Sequence, residues 1–197
     1  MVYIKSLICK GFKSFKERTK INFSKGFTSI VGANGSGKSN ILDAFVFALG
    51  ELSSNTMRVN NISDLICNGG KKGEPSKSAR VDVIFDNSLR EIPVDSNTVK
   101  ISRKVNMDGR GKYYVNDKRT TRTEIRDILD LAGLMPNSTN LILQGELFRI
   151  INMNNNERRE LIEDISGIAT YNEKKEKAEK DLEKVEENIS RITLLLN

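Results

Sequence analysis

Apolar and polar positions alternate from the first residues of the chain, with Tyr3, Lys5, Leu7 and Cys9 set against Ile4 and Ile8. This period of two predicts a strand over residues 2–9. Residues 11–17 read as a loop and 20–23 as a second short strand, closed by Ser24-Lys25-Gly26. Residues 27–31 form a nearly continuous apolar run, the pattern of a strand buried on both faces. From Lys38 the period lengthens. Ile41, Leu42, Phe45, Val46 and Leu49 predict the apolar stripe of a helix that Gly50 ends. Residues 51–80 are polar and irregular, with Gly69-Gly70-Lys71-Lys72-Gly73 at their centre. Strands are predicted over 80–85, 99–105 and 112–115, the last two as a hairpin around Asp108-Gly109-Arg110-Gly111. A helix over 121–131 carries Ile125, Ile128 and Leu129, and a short apolar segment at 140–143 leads into Gln144-Gly145.

The last part differs in kind. A helix is expected from about residue 156, pausing at Ser166-Gly167. Tyr171, Ala178, Val185 and Ile192 recur every seven residues, and Leu182, Ile189 and Leu196 repeat with the same period. This is the seam of a coiled coil, with an amphipathic helix packed on the domain as the alternative. No second heptad helix is present in the chain to receive it. The expected organisation is therefore a lobe over 1–155 and a helical segment over 156–197.

Composition narrows the chemistry. The 197 residues contain no histidine, which removes Ser-His-Asp, Cys-His and histidine–zinc mechanisms. Cys9 and Cys67 both follow Leu-Ile and read as core residues. No apolar stretch approaches the roughly 18 residues of a membrane span, and the opening residues lack a signal-peptide pattern. A cytoplasmic protein without membrane partner is expected. The net charge of +6 is uneven: residues 157–197 hold 8 basic and 11 acidic groups, leaving 24 basic and 15 acidic groups before them. An anionic partner suits that excess.

One motif carries specific chemistry. Gly32-Ala33-Asn34-Gly35-Ser36-Gly37-Lys38-Ser39 fits G-x-x-x-x-G-K-[ST]. The glycines let backbone N–H groups turn inward as a nest for phosphate oxygens, and the helix that follows adds its unsatisfied amides and dipole. Lys38 supplies a charge to the β- and γ-phosphates of a nucleoside triphosphate, Ser39 a hydroxyl to Mg2+, and Asn40 follows within the same turn. The strand predicted before the loop and the apolar-striped helix after it provide the context that separates the motif from a flexible glycine loop. Hydrolysis also needs a metal-binding acid at a strand end. Asp86, after Val83-Ile84-Phe85, is followed by Asn87-Ser88 and reads better as a strand-to-turn boundary.

Further segments occur in the order of one family. Lys10-Gly11-Phe12-Lys13-Ser14-Phe15, the phosphate loop, Ile62-Ser63-Asp64-Leu65-Ile66, Phe85-Asp86-Asn87, Leu143-Gln144-Gly145-Glu146, Glu157-Arg158-Arg159, Ile162-Glu163-Asp164-Ile165-Ser166-Gly167-Ile168 and Tyr171 span nearly the whole chain. Collinear and in this number, they resemble the N-terminal half of the head of SMC (structural maintenance of chromosomes) ATPases, archaeal or bacterial in type. The resemblance implies an α/β fold, a P-loop NTPase of the ABC-ATPase head class. Its N-terminal lobe has a mixed sheet around the Walker A helix and leads into a coiled-coil arm. It implies that Gln144 is the Q-loop glutamine that ligates Mg2+ and senses the attacking water. It implies that Arg58 is the arginine whose guanidinium meets the nucleotide phosphates, and that Lys13 and Ser14 lie beside the nucleotide with Asp64 near its base. The signature motif and Walker B acids are then expected from a separate C-terminal half. A second head joined through two ATP molecules, kleisin-type accessory subunits, DNA and a nucleoid location complete the implication.

Residues 99–122 hold eight basic groups, among them Arg110, Lys112, Lys118, Arg119 and Arg122. They read either as a solvated surface or as a face that meets DNA phosphates without reading sequence. Tyr113 and Tyr114 suit base stacking or hairpin packing equally. The other function classes are a double-strand-break repair ATPase of the same architecture, a self-sufficient P-loop kinase or switch, and a coiled-coil partner that binds ATP without turnover.

Overall fold

The computed structural model describes residues 2–54, 56–70, 73–132, 134, 142, 151–165, 175, 178, 179, 181–185 and 189. Contacts divide the chain into two compact units, 1–140 and 141–197. Gln144, the Ser166-Gly167 pause and most of the heptad segment lie outside the described residues.

The first unit is built on a six-stranded sheet: β1 (Tyr3–Lys10), β2 (Thr19–Asn22), β3 (Ser78–Asp86), β4 (Thr98–Asn106), β5 (Gly111–Val115) and β6 (Lys118–Thr120). Its order is β2-β1-β3-β4-β5-β6. Every pairing is antiparallel, with Leu7 opposite Val83, Val83 opposite Ile101 and Arg103 opposite Tyr113. Short turns join β4 to β5 and β5 to β6, the second through Asn116 and Asp117, both at positive φ (47° and 63°). The register fixes which side chains share a face. Leu7, Cys9, Val81, Val83, Phe85, Val99, Ile101 and Val105 are buried on one side, against the helix α1 (Lys38–Ala48). Arg80, Asp82, Lys100 and Lys104 line the other, half-exposed side. Burial pushes the Cys9 thiol up to about 12, helped by the charge of Asp82.

The helix α2 (Arg122–Leu131) packs against β5. Thr121 caps it: its hydroxyl accepts from the Glu124 amide at 3.2 Å, and Glu124 accepts the Thr121 amide at 3.0 Å. This reciprocal pair is the capping box that Thr-x-x-Glu encodes. Hydrogen bonds from Thr120 first, and then from Thr121, hold the Glu124 carboxyl below its ordinary range.

Three expectations are corrected. Residues 27–31 do not form a strand. Phe27 is 94% and Val31 86% exposed, and no described strand runs alongside to take their backbone groups. An apolar run becomes a buried strand only when neighbours cover both its edges and its faces. The stripe on α1 is also shifted. Asp43, Ala44, Val46, Phe47 and Ala48 are buried, whereas Ile41, Leu42 and Phe45 stay half-exposed. The alanines allow the helix axis to approach the sheet, which larger side chains at those positions would prevent. Finally, β6 is absent from the sequence reading, because three residues are too few to show a period.

In the second unit, α3 (Asn155–Ile165) starts one residue from the expected position. Described heptad positions Ala178, Leu182, Val185 and Ile189 are helical, and the last three are 59%, 53% and 58% exposed.

Candidate nucleotide-binding site

The phosphate loop is shaped by its glycines. Gly35 (φ 79°) and Gly37 (φ 93°) occupy the left-handed region, where a side chain is strained. At Gly37 a Cβ would also come within 2.8 Å of Ser14 Oγ, so only glycine lets the loop and the 11–17 loop approach. Gly37 is the N-cap of α1, and no side chain caps that helix. Asn40 N bonds back to Gly37 O at 2.9 Å, and the amides of Lys38 and Ser39 lie ahead of it at the positive end of the helix dipole. Lys38 folds over the loop and donates to the carbonyls of Gly32 and Ala33, each at 2.7 Å. An ammonium fixed beside the N-terminal end of a helix favours an anion in charge and in available donors. The Ser39 side chain is exposed in the first helical turn.

Two further loops converge on α1. The 11–17 loop is closed by bonds from Gly11 N to Lys16 O at 3.0 Å and from Phe12 N to Phe15 O at 3.0 Å. Phe12 is fully buried against Phe47, with ring centroids 5.3 Å apart, which anchors the loop on the helix. Ser14 Oγ then accepts from Asn40 Nδ2 at 2.9 Å. Lys13 Nζ donates to Asp43 Oδ2 and to Met57 O, each at 2.6 Å, so its ammonium is held inside the protein. Arg58 comes from the third loop. Its Nη2 donates to the same Asp43 oxygen at 2.6 Å and to Ser39 O at 3.0 Å. Asp64 is engaged as a helix cap, its carboxylate accepting the Asn61 amide at 2.8 Å. It also borders a cleft of about 530 Å³ whose lining includes Lys13, Ser14, Asn40, Ser63 and Ile66.

Thus Gly32–Asn40, Lys13, Ser14, Arg58 and Asp64 surround α1's N-terminal end and the adjoining cleft. Gln144 lies outside the described residues. Sequence reading missed Asp43, which no motif marks. Its signal is a lone acid on a helix face otherwise occupied by Ala44 and Phe47.

A model described as the RecF/RecN/SMC N terminal domain matches residues 3–191. This chain belongs to that family. The chromosome partition protein Smc of Pyrococcus furiosus is 52% identical over the whole chain, which covers 17% of that relative's length. The P. furiosus Smc head domain with an extended coiled coil, solved bound to the C-terminal domain of ScpA, is 52% identical with a TM-score of 0.84. That match covers 99% of this chain and 49% of the solved chain. A structure from work on ATP-driven dimerisation and DNA-stimulated activation of SMC ATPases is 50% identical with a TM-score of 0.78. There the match covers 83% of this chain and 99% of the other. The fold is accordingly the P-loop NTPase fold of SMC heads. No helix among the described residues is long and apolar enough to cross a membrane.

The basic residues regroup in three dimensions. Arg122 Nε donates to Gly50 O at 2.8 Å, and Arg103 is buried, so these two serve packing. Arg110, Lys112, Lys118 and Arg119 are exposed. Strand register sets Lys10, Arg80, Lys104 and Lys112 directly opposite one another on four adjacent strands, on the side away from α1. Arg80 is tied to Asp82 at 2.7 Å and to Asp117 at 3.1 Å. Hydrogen bonds from Lys100, and then from Arg80, keep the Asp117 carboxyl below its usual range. Lys10, Lys16, Lys77 and Lys104 also line a cleft of about 450 Å³ with Arg80. Like charges placed opposite one another destabilise a sheet unless an anion meets them.

Proposed function

We propose that this chain is the ATP-binding half of an SMC head, which turns over ATP once a C-terminal half completes it. The observation that carries the reading is the loop itself: left-handed Gly35 and Gly37, an uncapped α1, and Lys38 fixed across the mouth. The backbone amides and Lys38 bind the β- and γ-phosphates, and the cleft bordered by Asp64, Ser14 and Asn40 takes the base and sugar. Arg58, at the first turn of α1, neutralises charge that develops on the phosphates.

Mg2+ fits the donor set. No cluster of three His, Cys, Asp or Glu occurs among the described residues, and Ser39 offers one hard hydroxyl oxygen. A Mg2+ ion held mainly by phosphates, water and one or two protein oxygens needs no more than that, with Gln144 as a second ligand. When bound, the ion draws charge from the phosphate oxygens and aligns them for attack by water. The chain's own residues hold the triphosphate, orient it and screen it.

Two carboxylates that sequence or geometry sets near the chemistry have other partners. Asp43 is taken by Lys13 and Arg58, and Asp86 pairs with Lys5 at 3.0 Å. The hydrogen bond from Lys5, then one from Ser88, holds the Asp86 carboxyl below its ordinary value. The acid that activates water is therefore assigned to the C-terminal half, and ATP binding without turnover to this chain alone. Exposed Phe27 and Val31 are where that half adds its strands. A second head engaged through two ATP molecules, a kleisin-type subunit at the arm, and sequence-tolerant DNA contact along the basic row follow as the remaining partners. What supports them is that SMC relatives are described by ATP-driven dimerisation, DNA-stimulated activation and a bound ScpA domain. Chromosome partition is favoured over break repair because the curated relatives compared are Smc partition proteins.

The test is calorimetry of Mg-ATP binding to the complete head. Lys38→Ala is expected to lower affinity about 100-fold, the loss of close to 3 kcal/mol for a charge-assisted contact to phosphate. Equal affinity in wild type and variant would overturn the reading.

A further inference from the structure

We infer that Asp43 is the positioning residue for Arg58, holding the guanidinium at the first turn of α1 beside the phosphate loop. The inference rests on the ATP-site reading above and adds a residue that no motif contains. Asp43 belongs to the face of α1 that meets the core, and it is only 3% exposed. A carboxylate in such a place is unfavourable unless cations and donors compensate it. Two do, and both use one oxygen: Lys13 Nζ and Arg58 Nη2 each lie 2.6 Å from Asp43 Oδ2.

The two cations have different standing. The Lys13 side chain is 13% exposed and that of Arg58 44%. Lys13 is the internal partner, and its Nζ also bonds Met57 O at 2.6 Å, the carbonyl immediately before Arg58. Met57 itself is fully buried. Lys13 thus fastens the backbone from which Arg58 springs, while Asp43 and Ser39 O, the latter at 3.0 Å, fasten the tip. One terminal nitrogen of the guanidinium makes both tip contacts, so the anchor leaves the orientation of the fork defined by two acceptors on the same helix turn.

Backbone conformation is a second observation. Lys13 (φ 44°) and Arg58 (φ 55°) both lie in the left-handed region that non-glycine residues rarely adopt. Two separate loops are strained at the residues whose side chains meet on Asp43. Such strain gathers where a site demands a fixed geometry. Neutralising Asp43 requires one cation. A second, half-exposed one, reached from a strained backbone and placed against Ser39 of the phosphate loop, serves to place Arg58.

The experiment is a double-mutant cycle on ATP hydrolysis by the complete head. Asp43→Asn keeps the shape and removes the charge. It is expected to lower kcat by about the same factor as Arg58→Ala, with KM for Mg-ATP within about twofold of wild type. In the Arg58→Ala background, Asp43→Asn is expected to have no further effect, because both changes remove one function. A further loss of kcat in that background would show a structural role only and overturn the inference, as would wild-type turnover in Asp43→Asn or in Arg58→Ala. If Asp43→Asn does not fold, Lys13→Met, which frees Met57 O, carries the same cycle with the same two outcomes. An indifferent Lys38→Ala counts against the ATP reading itself. A strong Lys38→Ala effect with an additive Asp43→Asn effect counts against this inference alone.

Discussion

Arg103 illustrates how far a single residue can depart from its usual place. It is 2% exposed, its guanidinium 4.3 Å from the Phe47 ring and 5.0 Å from the Tyr113 ring. Nη1 donates to Phe47 O in the last turn of α1 at 3.0 Å, and to Glu51 O, just beyond the helix, at 2.6 Å. A cation there meets the negative end of the helix dipole, adding to the bond that Phe47 O already accepts from Gly50 N at 3.2 Å. Burial lowers the Arg103 pKa from its ordinary value and raises that of Tyr113. Arg103→Ala should therefore lower stability by about 3 kcal/mol, measured by urea unfolding of the chain. A change below about 0.5 kcal/mol would show that α1 does not depend on this contact. In the sequence Arg103 stands in a run of basic residues and reads as surface. Its parity with Val99, Ile101 and Val105 hints at the core, but the strong hydration of a guanidinium argues against it. Only the waiting helix end reverses that balance.

Elements were legible where the signal is local. Alternation predicts β3 and β4 to within two residues, because one face of each strand is buried and the other is not. Apolar residues predict the start of α2, and the structure adds a local device there, the box of Thr121 and Glu124 within one turn. Thr121→Ala should lower stability by about 1 kcal/mol, detectable as a shifted denaturation midpoint with unchanged slope. An unaltered midpoint would mean that packing on β5 holds the helix without its cap. The segment 27–31 shows the limit of such reading. Its apolar run is compatible with a buried strand, but strand formation depends on neighbours that local pattern cannot supply. The buried face of α1 fails to be read for a related reason: Ala44 and Ala48 give a weak hydrophobic signal and a close approach to the sheet.

At the scale of the molecule, the exposed apolar residues mark where association is expected. Phe27 and Val31 lie open in the first unit, and Leu182, Val185 and Ile189 in the second. Replacing Phe27 and Val31 together by serine should leave the unfolding midpoint of the isolated chain within about 0.5 kcal/mol of wild type. The same variant should no longer assemble with the C-terminal half in size-exclusion chromatography. Undiminished assembly would show that the completing half docks elsewhere.

The nucleotide chemistry is written in the sequence because Gly32 to Ser39 is a contiguous motif whose function resides largely in backbone amides. The family was legible for a similar reason, in collinear segments that each need only themselves to be recognised. What brings Asp43 to Lys13 and Arg58, or aligns Lys10 with Arg80, Lys104 and Lys112, is the pairing of strands and loops far apart in the chain. Those meetings depend on register and on which face each element turns inward. They follow from the summed burial of the whole core, and no local run of residues encodes them.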